Sequence, residues 1–296
     1  MTTWQGTDRE IGSERAERFA REHPNLVKLG RVGWVAKGIV YGLMGALAVA
    51  IALQSYEAGP AAAERTGAQQ EASASGAIAT IADSSGGAAL LLVIAIGLAL
   101  YVAWRVVSLM LPADNDADAW LTRAGYAISA IGYSILAWTA FSFARHPGSG
   151  EGSEDARIEQ LTRDLLENQA GRIAVFVLGA ALVGTGAYFL YKGWAATFES
   201  ELSPGGVGPI SHDTLVTLGR VGWVGRGLMI GIIGFFLARA AVTFDPAEAE
   251  GLDGALRRVS GSTLGTALVL LVAVGLIVYG VFCVLSAPRQ RLMGAD

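Results

Sequence analysis

Long uncharged runs alternate with short charged segments along most of this chain. The runs cover residues 38–56, 84–104, 124–144, 173–191 and 259–288. A helix rises about 1.5 Å per residue, so roughly 20 apolar residues cross the hydrocarbon layer of a membrane. Each run is therefore predicted to be a transmembrane helix. A weaker span is predicted over residues 221–244, where the side chains of Arg226 and Arg239 could extend toward the membrane surface.

The chain repeats its own sequence. Residues 29–45 read LGRVGWVAKGIVYGLMG, and residues 218–234 read LGRVGWVGRGLMIGIIG. A diluted copy, LTRAGY, begins at Leu121. The second, fourth and sixth spans share a motif of glycine, tyrosine four residues later and an aromatic residue three further on, with the tyrosines at 101, 188 and 279. The repeating unit is a helix, an outer segment and a second helix, used three times.

The sequence thus predicts an all-α polytopic transmembrane helix bundle. Its six spans form three parallel two-helix repeats, which a pseudo-threefold axis along the membrane normal would relate. A short amphipathic helix is predicted over residues 158–166. The predicted boundaries are an N-terminal segment over 1–28, repeat 1 over 29–111, repeat 2 over 112–198, repeat 3 over 199–287 and a tail over 288–296.

Composition agrees with a membrane protein and adds an orientation. Hydrophobic residues make up 52% of the chain and charged residues 16%, outside the usual range of soluble proteins. Most Lys and Arg residues fall on the side that carries both termini. The positive-inside rule therefore predicts a multi-pass protein of the plasma membrane with cytoplasmic N- and C-termini.

Basic residues recur near one end of the spans. They are Arg31, Lys37, Arg105, Arg123, Lys192, Arg220 and Arg226. Their long side chains could carry the charge outward and fix the topology of the helices. They could instead contact anionic lipid headgroups or another anionic ligand.

Tyrosines and glycines give two further sets of candidates. Five tyrosines could line a polar cavity, or their rings could pack between helices: Tyr41, Tyr101, Tyr133, Tyr188 and Tyr279. Six glycines are spaced for close helix packing, with a flexible hinge as the alternative: Gly38, Gly42, Gly45, Gly227, Gly231 and Gly234.

Several kinds of chemistry have no sequence signal. The predicted spans contain no Asp or Glu, which argues against proton coupling through an intramembrane carboxylate. The three histidines are well separated, and Cys283 is the single cysteine, so no metal site is predicted. No catalytic residue, cofactor or nucleic-acid partner is predicted.

A family resemblance rests on specific motifs. The Leu-x-Arg-x-Gly-aromatic motif, the Tyr101-x2-Trp104-Arg105 sequence and the Tyr191-Lys192-Gly193 step resemble the bacterial membrane family called domain of unknown function 1206. That family carries three tandem two-helix copies, which the resemblance implies for about residues 24–287. This chain departs from the pattern with Ser129 and Cys283 where the other repeats carry a base. The resemblance implies a fold and adds no activity.

Two functions remain open at this point. The first is a non-enzymatic structural or partner-binding protein of the cell envelope, in contact with membrane lipids and their anionic headgroups. The second is a transporter of lipids or small solutes along the repeat axis. The sequence does not identify a protein partner.

Overall fold

Helices account for nearly all of the described structure. The computed structural model describes residues 24–58, 78, 81–82, 86–110, 117–145, 154–202, 210–245 and 263–289. Within these ranges the chain is all-α. Its seven α-helices are α1 (Pro24–Ala58), α2 (Gly87–Met110), α3 (Ala117–Arg145), α4 (Glu154–Leu166), α5 (Gln169–Trp194), α6 (His212–Thr243) and α7 (Thr263–Ser286). The predicted N-terminal and C-terminal segments lie mostly outside the described residues.

Among the described residues, five helices are long and apolar enough to cross a membrane. The qualifying segments are Gly30–Val49, Gly87–Val106, Gln169–Trp194, His212–Thr243 and Gly265–Ser286. The weaker predicted span therefore lies inside a qualifying helix, which starts nine residues earlier than predicted because Ser211 caps it by accepting a hydrogen bond from the Thr214 amide. Helix α3 has sufficient length, at 29 residues, but is not among the five.

The helices pack in a consistent order. Helix α1 packs against α2 and α7, and helix α6 packs against α5 and α7. Helix α3 packs against α2, and the amphipathic helix α4 lies on α5. Helices α3 and α5, the two long helices of repeat 2, are not among the closely packed pairs. Repeat 2 thus differs from repeats 1 and 3.

Four of the six predicted packing glycines lie directly at helix crossings. A Cβ atom on Gly38 would lie 2.6 Å from the Gly280 carbonyl oxygen, and one on Gly45 would lie 2.6 Å from that of Ala273. Gly227 and Gly234 meet α5 in the same way, at Gly186 and Leu182. The remaining two, Gly42 and Gly231, have open space at their own Cβ positions and instead offer their backbone atoms to glycines of the neighbouring helix.

Repeats 1 and 3 share the same internal contact. A Cβ on Gly97 of α2 would lie 2.7 Å from the Ala36 Cβ on α1. At the equivalent positions, a Cβ on Gly275 of α7 would lie 2.5 Å from the Gly225 Cα on α6. Close backbone approach stabilises helix pairs in lipid, where hydrophobic burial gives little association force.

Candidate functional site

Five helices bring two basic side chains and four tyrosines together inside the bundle. We call this set the aromatic–basic cluster: Lys37, Tyr41, Tyr101, Tyr133, Arg226 and Tyr279. Its members come from α1, α2, α3, α6 and α7. All three sequence repeats therefore contribute to one site.

Lys37 points into the bundle. Lys37 is only 2% exposed, and its Nζ lies 4.5 Å from the ring centroid of Trp34. The same atom lies 5.4–5.7 Å from the centroids of Tyr101, Tyr133 and Tyr279. The side chain does not carry its amine outward, as the sequence suggested, because aromatic faces surround it in place of water.

Arg226 reaches the cluster from α6. Its Nη1 donates a hydrogen bond of 2.7 Å to the Tyr279 hydroxyl. Its Cζ lies 5.5 Å from the ring centroid of Tyr41, 4.7 Å from that of Phe189 and 5.2 Å from that of Trp223. Lys37 and Arg226 occupy equivalent repeat positions, and both contact the ring of Tyr279.

The tyrosine rings pack edge to face. The ring centroids of Tyr101 and Tyr133 are 4.8 Å apart, and those of Tyr41 and Tyr279 are 5.0 Å apart. Such geometry places the positive ring edge against a negative ring face. Tyr188, the fifth predicted tyrosine, lies outside the cluster and is 56% exposed.

Three polar atoms around the cluster are buried without a hydrogen-bond partner. They are the Tyr133 hydroxyl, the Arg226 Nε and the Trp223 Nε1. A buried polar group without a partner costs about 1–3 kcal/mol relative to a satisfied one. No carboxylate of the described residues forms a salt bridge with Lys37 or Arg226. The cluster therefore combines excess positive charge with unused donors.

The remaining predicted basic residues have other surroundings. Arg105 donates hydrogen bonds of 2.9 and 2.6 Å to the Tyr101 hydroxyl, which connects it to the edge of the cluster. Lys192 pairs with Glu201 and lies over the ring of Trp223. Arg31 and Arg220 have no described contact with the cluster. The side chain of Arg123 lies outside the described residues.

The arrangement suits an anion better than a metal. Arg and Lys donate hydrogen bonds and accept none, and tyrosine hydroxyls can donate as well. Within the described ranges, no group of three His, Cys, Asp or Glu residues could hold a metal ion. A phosphate or carboxylate would balance the guanidinium of Arg226 and a protonated Lys37 while accepting from the unused donors.

Sequence reasoning missed three aromatic members of the surroundings: Trp34, Phe189 and Trp223. A signal for the first was present. Trp34, Lys37 and Tyr41 follow helical spacing of three and four residues, which places them on one stripe of α1. An aromatic, basic, aromatic stripe on an intramembrane helix indicates a buried cation.

Comparisons with known proteins give a family for the chain. The model of the Domain of Unknown Function DUF1206 matches residues 32–108, 124–196 and 221–289. The chain is also 29% identical over 272 residues to the uncharacterized protein YxxB of Bacillus subtilis (strain 168), which covers 91% of this chain and 93% of that protein. No solved structure matches the chain. One matched segment falls in each of the three repeats, so the chain belongs to the DUF1206 family, as the resemblance of its motifs predicted.

Proposed function

We propose that this chain is a non-enzymatic integral membrane protein that binds an anionic group, a phosphate or a carboxylate, between its helices. The binding site is the aromatic–basic cluster, and Lys37 and Arg226 supply the positive charge. The protein lies in the plasma membrane with six spans and cytoplasmic termini. Membrane lipids are its immediate partners.

The observation that carries this proposal is the unpaired positive charge inside the bundle, on Lys37, which is buried, and Arg226, which is half-buried. A basic side chain near the middle of a membrane costs about 2.5–3.5 kcal/mol on insertion scales, so intramembrane bases usually face a partner or a ligand. Here two such bases contact one tyrosine ring, and no described carboxylate compensates them. The unpartnered Tyr133 hydroxyl belongs to a residue that is 8% exposed and adds a donor on the same side.

The helix contacts support a pseudo-threefold arrangement of six spans. Each repeat packs its second helix on the first helix of the next: α2 on α3, α5 on α6 and α7 on α1. Lys37, Ser129 and Arg226 occupy equivalent sequence positions and, in the proposed arrangement, would lie around one axis. An axial site would receive two bases and one hydroxyl.

A transporter with an open path along that axis has less support. Such a path would be bounded by Tyr101, Tyr188 and Tyr279. Tyr101 and Tyr279 are instead buried in ring contacts, and Tyr188 lies outside the cluster. The geometry favours a site that holds a ligand.

Anion binding can be measured as ligand-dependent stability. We expect inorganic phosphate to raise the free energy of unfolding of the purified protein in non-ionic detergent by about 1–3 kcal/mol near saturation. The double variant Lys37→Gln/Arg226→Gln should lose this increase, because it removes both charges. Thermal unfolding followed by tryptophan fluorescence reports the effect.

The matched control is Lys28→Gln/Arg220→Gln. It removes two exposed charges from the same two helices, α1 and α6. We expect this variant to keep the phosphate-dependent increase. A response that persists in Lys37→Gln/Arg226→Gln, or that disappears only in the control, would place any anion site at the ends of the helices and contradict the proposal.

The third span is tested by the accessibility of the loops on either side of it. In a Cys283→Ala background, we expect Thr2→Cys and Asp116→Cys to react with a membrane-impermeant maleimide only in inside-out vesicles. Gly150→Cys should react only in intact cells, because an odd number of spans separates it from Asp116. Labelling of Asp116→Cys and Gly150→Cys from the same side would show that α3 does not cross the membrane.

A further inference from the structure

The two long helices of repeat 2 lack the close contact that joins the helices of repeats 1 and 3. Gly97 and Gly275 lie against Ala36 and Gly225 of the partner helix within their own repeats. Gly184 occupies the equivalent position on α5, and no atom lies within 4 Å of its Cβ position. The face of α5 that should meet α3 therefore has no partner among the described residues.

Side-chain exposure shows the same opening. Tyr188 is 56% exposed, whereas its equivalents Tyr101 and Tyr279 are 1% and 0% exposed. On the facing helix, Gly132 is exposed and has open space at its Cβ position. The equivalents of Gly132 in the other repeats, Val40 and Met229, are buried. Matching faces of α3 and α5 are thus both uncovered.

The sequence offers a physical reason for the opening. The close contact in repeats 1 and 3 requires a small residue on the first helix, which is Ala36 or Gly225. Repeat 2 carries Ile128 at this position. The sequence of repeat 2 therefore lacks the small residue that this close contact uses in repeats 1 and 3.

The gap between α3 and α5 adjoins the aromatic–basic cluster. Tyr133 of α3 lies 5.7 Å from the Lys37 Nζ, measured to its ring centroid. Phe189 of α5 lies 4.7 Å from the Arg226 Cζ, and its ring contacts that of Tyr188 at 5.9 Å between centroids. The α3 side of the gap therefore adjoins Lys37, and the α5 side adjoins Arg226.

We propose that the gap between α3 and α5 holds an acyl chain of an anionic phospholipid, whose phosphate lies against Lys37 and Arg226. This inference rests on the proposed anion site and names its ligand class. The outer walls of the gap are apolar, with Ile131 and Ile135 exposed on α3 and Val177 exposed on α5. A phospholipid presents an apolar chain to this surface and a charged phosphate to the two bases in one molecule.

The depth of the site agrees with a headgroup phosphate. Lys37 lies six residues from Arg31, which is near the start of the apolar segment Gly30–Val49, and this corresponds to about 9 Å along the helix. A phosphate at this depth lies below the membrane surface but remains on the same side as the basic helix ends. The acyl chain can then follow the gap into the hydrocarbon layer.

The test compares lipid retention with binding of free phosphate. The purified protein is incubated with an equimolar mixture of phosphatidylglycerol and phosphatidylcholine, and bound lipid is counted by native mass spectrometry. We expect wild type to prefer phosphatidylglycerol by roughly tenfold, because it carries a net negative charge, whereas the choline cation balances the phosphate of phosphatidylcholine. Gly184→Trp should lower phosphatidylglycerol retention by about the same factor, because the indole fills the gap where the structure has open space.

Two further variants keep the result interpretable. Gly132→Trp fills the gap from α3 and should act like Gly184→Trp. Val183→Trp is the matched control, because Val183 and its equivalents Ile96 and Val274 are exposed in all three repeats and face away from the gap. Retention should be unchanged in this control, and all three variants should keep the stabilisation by inorganic phosphate.

The possible outcomes distinguish the proposed lipid site from the proposed anion site. Equal phosphatidylglycerol retention in wild type, Gly184→Trp and Gly132→Trp would overturn the lipid site. Stabilisation by inorganic phosphate without retention of phosphatidylglycerol would also overturn it, and would leave the anion site in place. Failure of both phosphate and phosphatidylglycerol to bind would refute the anion site as well.

Discussion

Gly275→Leu is expected to destabilise the protein strongly, by about 1–3 kcal/mol or more. The position lies at the closest approach of α6 and α7, where a Cβ atom would be 2.5 Å from the Gly225 Cα. That neighbour is backbone, so it cannot rotate away, and the two helices must separate to accept a side chain. Separation would also move Tyr279 away from Arg226 and Lys37. Thermal unfolding of the purified protein in detergent measures the loss.

The same substitution at an equivalent position provides the control. Gly184→Leu makes an identical chemical change in repeat 2, where no atom lies within 4 Å of the Cβ position. We expect its stability to remain close to that of wild type. Equal destabilisation by Gly275→Leu and Gly184→Leu would mean that the helices of repeat 2 are packed as tightly as those of repeat 3.

Lys37→Met is expected to stabilise the protein in the absence of anions, by about 1–4 kcal/mol. The residue is 2% exposed, and no described carboxylate pairs with its amine. Methionine has a similar length and an apolar side chain that packs well against aromatic rings. The substitution removes a basic group from an apolar site and relieves its repulsion with Arg226. Unfolding in phosphate-free buffer measures the gain.

This stabilisation should come with a loss of response to phosphate. The comparison variant is Lys28→Met, which replaces an exposed lysine on the same helix and should change neither property. A Lys37→Met protein less stable than wild type without anions would show that attraction between the amine and its four rings outweighs the cost of burying it. Lys37 would then serve the fold and not a ligand.

Much of the helical fold could be predicted from apolar runs and internal repeats. The repeat with residues 29–45 identified α6 as a span although Arg226 and Arg239 interrupt it, and α6 is apolar enough overall to qualify. The uncharged run at 124–144 predicted that α3 would also be a transmembrane helix. Its helix is present, but it is not among the five qualifying segments of the described residues, so the third span and the threefold arrangement remain proposals.

The candidate site was predicted residue by residue but not as a unit. The side chain of Lys37 is long enough to reach either the membrane surface or the bundle interior, and sequence alone does not choose between them. The choice depends on rings from α2, α3 and α7, which lie far from Lys37 in the sequence.

Tyr188 shows where prediction from the repeats alone is misleading. Its motif matches those of Tyr101 and Tyr279, and the repeats predict the same surroundings for all three. Its exposure depends instead on the missing contact between α3 and α5. The relevant sequence signal was Ile128, which stands where the other repeats carry alanine or glycine.

The substitution of Ser129 for a base has a consequence for how a ligand would be oriented. Three identical bases around an axis would offer a bound phosphate three interchangeable poses. Lys37 and Arg226 without a third base leave one preferred pose, in which the charged end faces repeats 1 and 3 and the neutral remainder points toward repeat 2. In the proposed threefold arrangement, divergence of the copies after duplication would thus have given the ligand site a direction, and that direction coincides with the gap between α3 and α5.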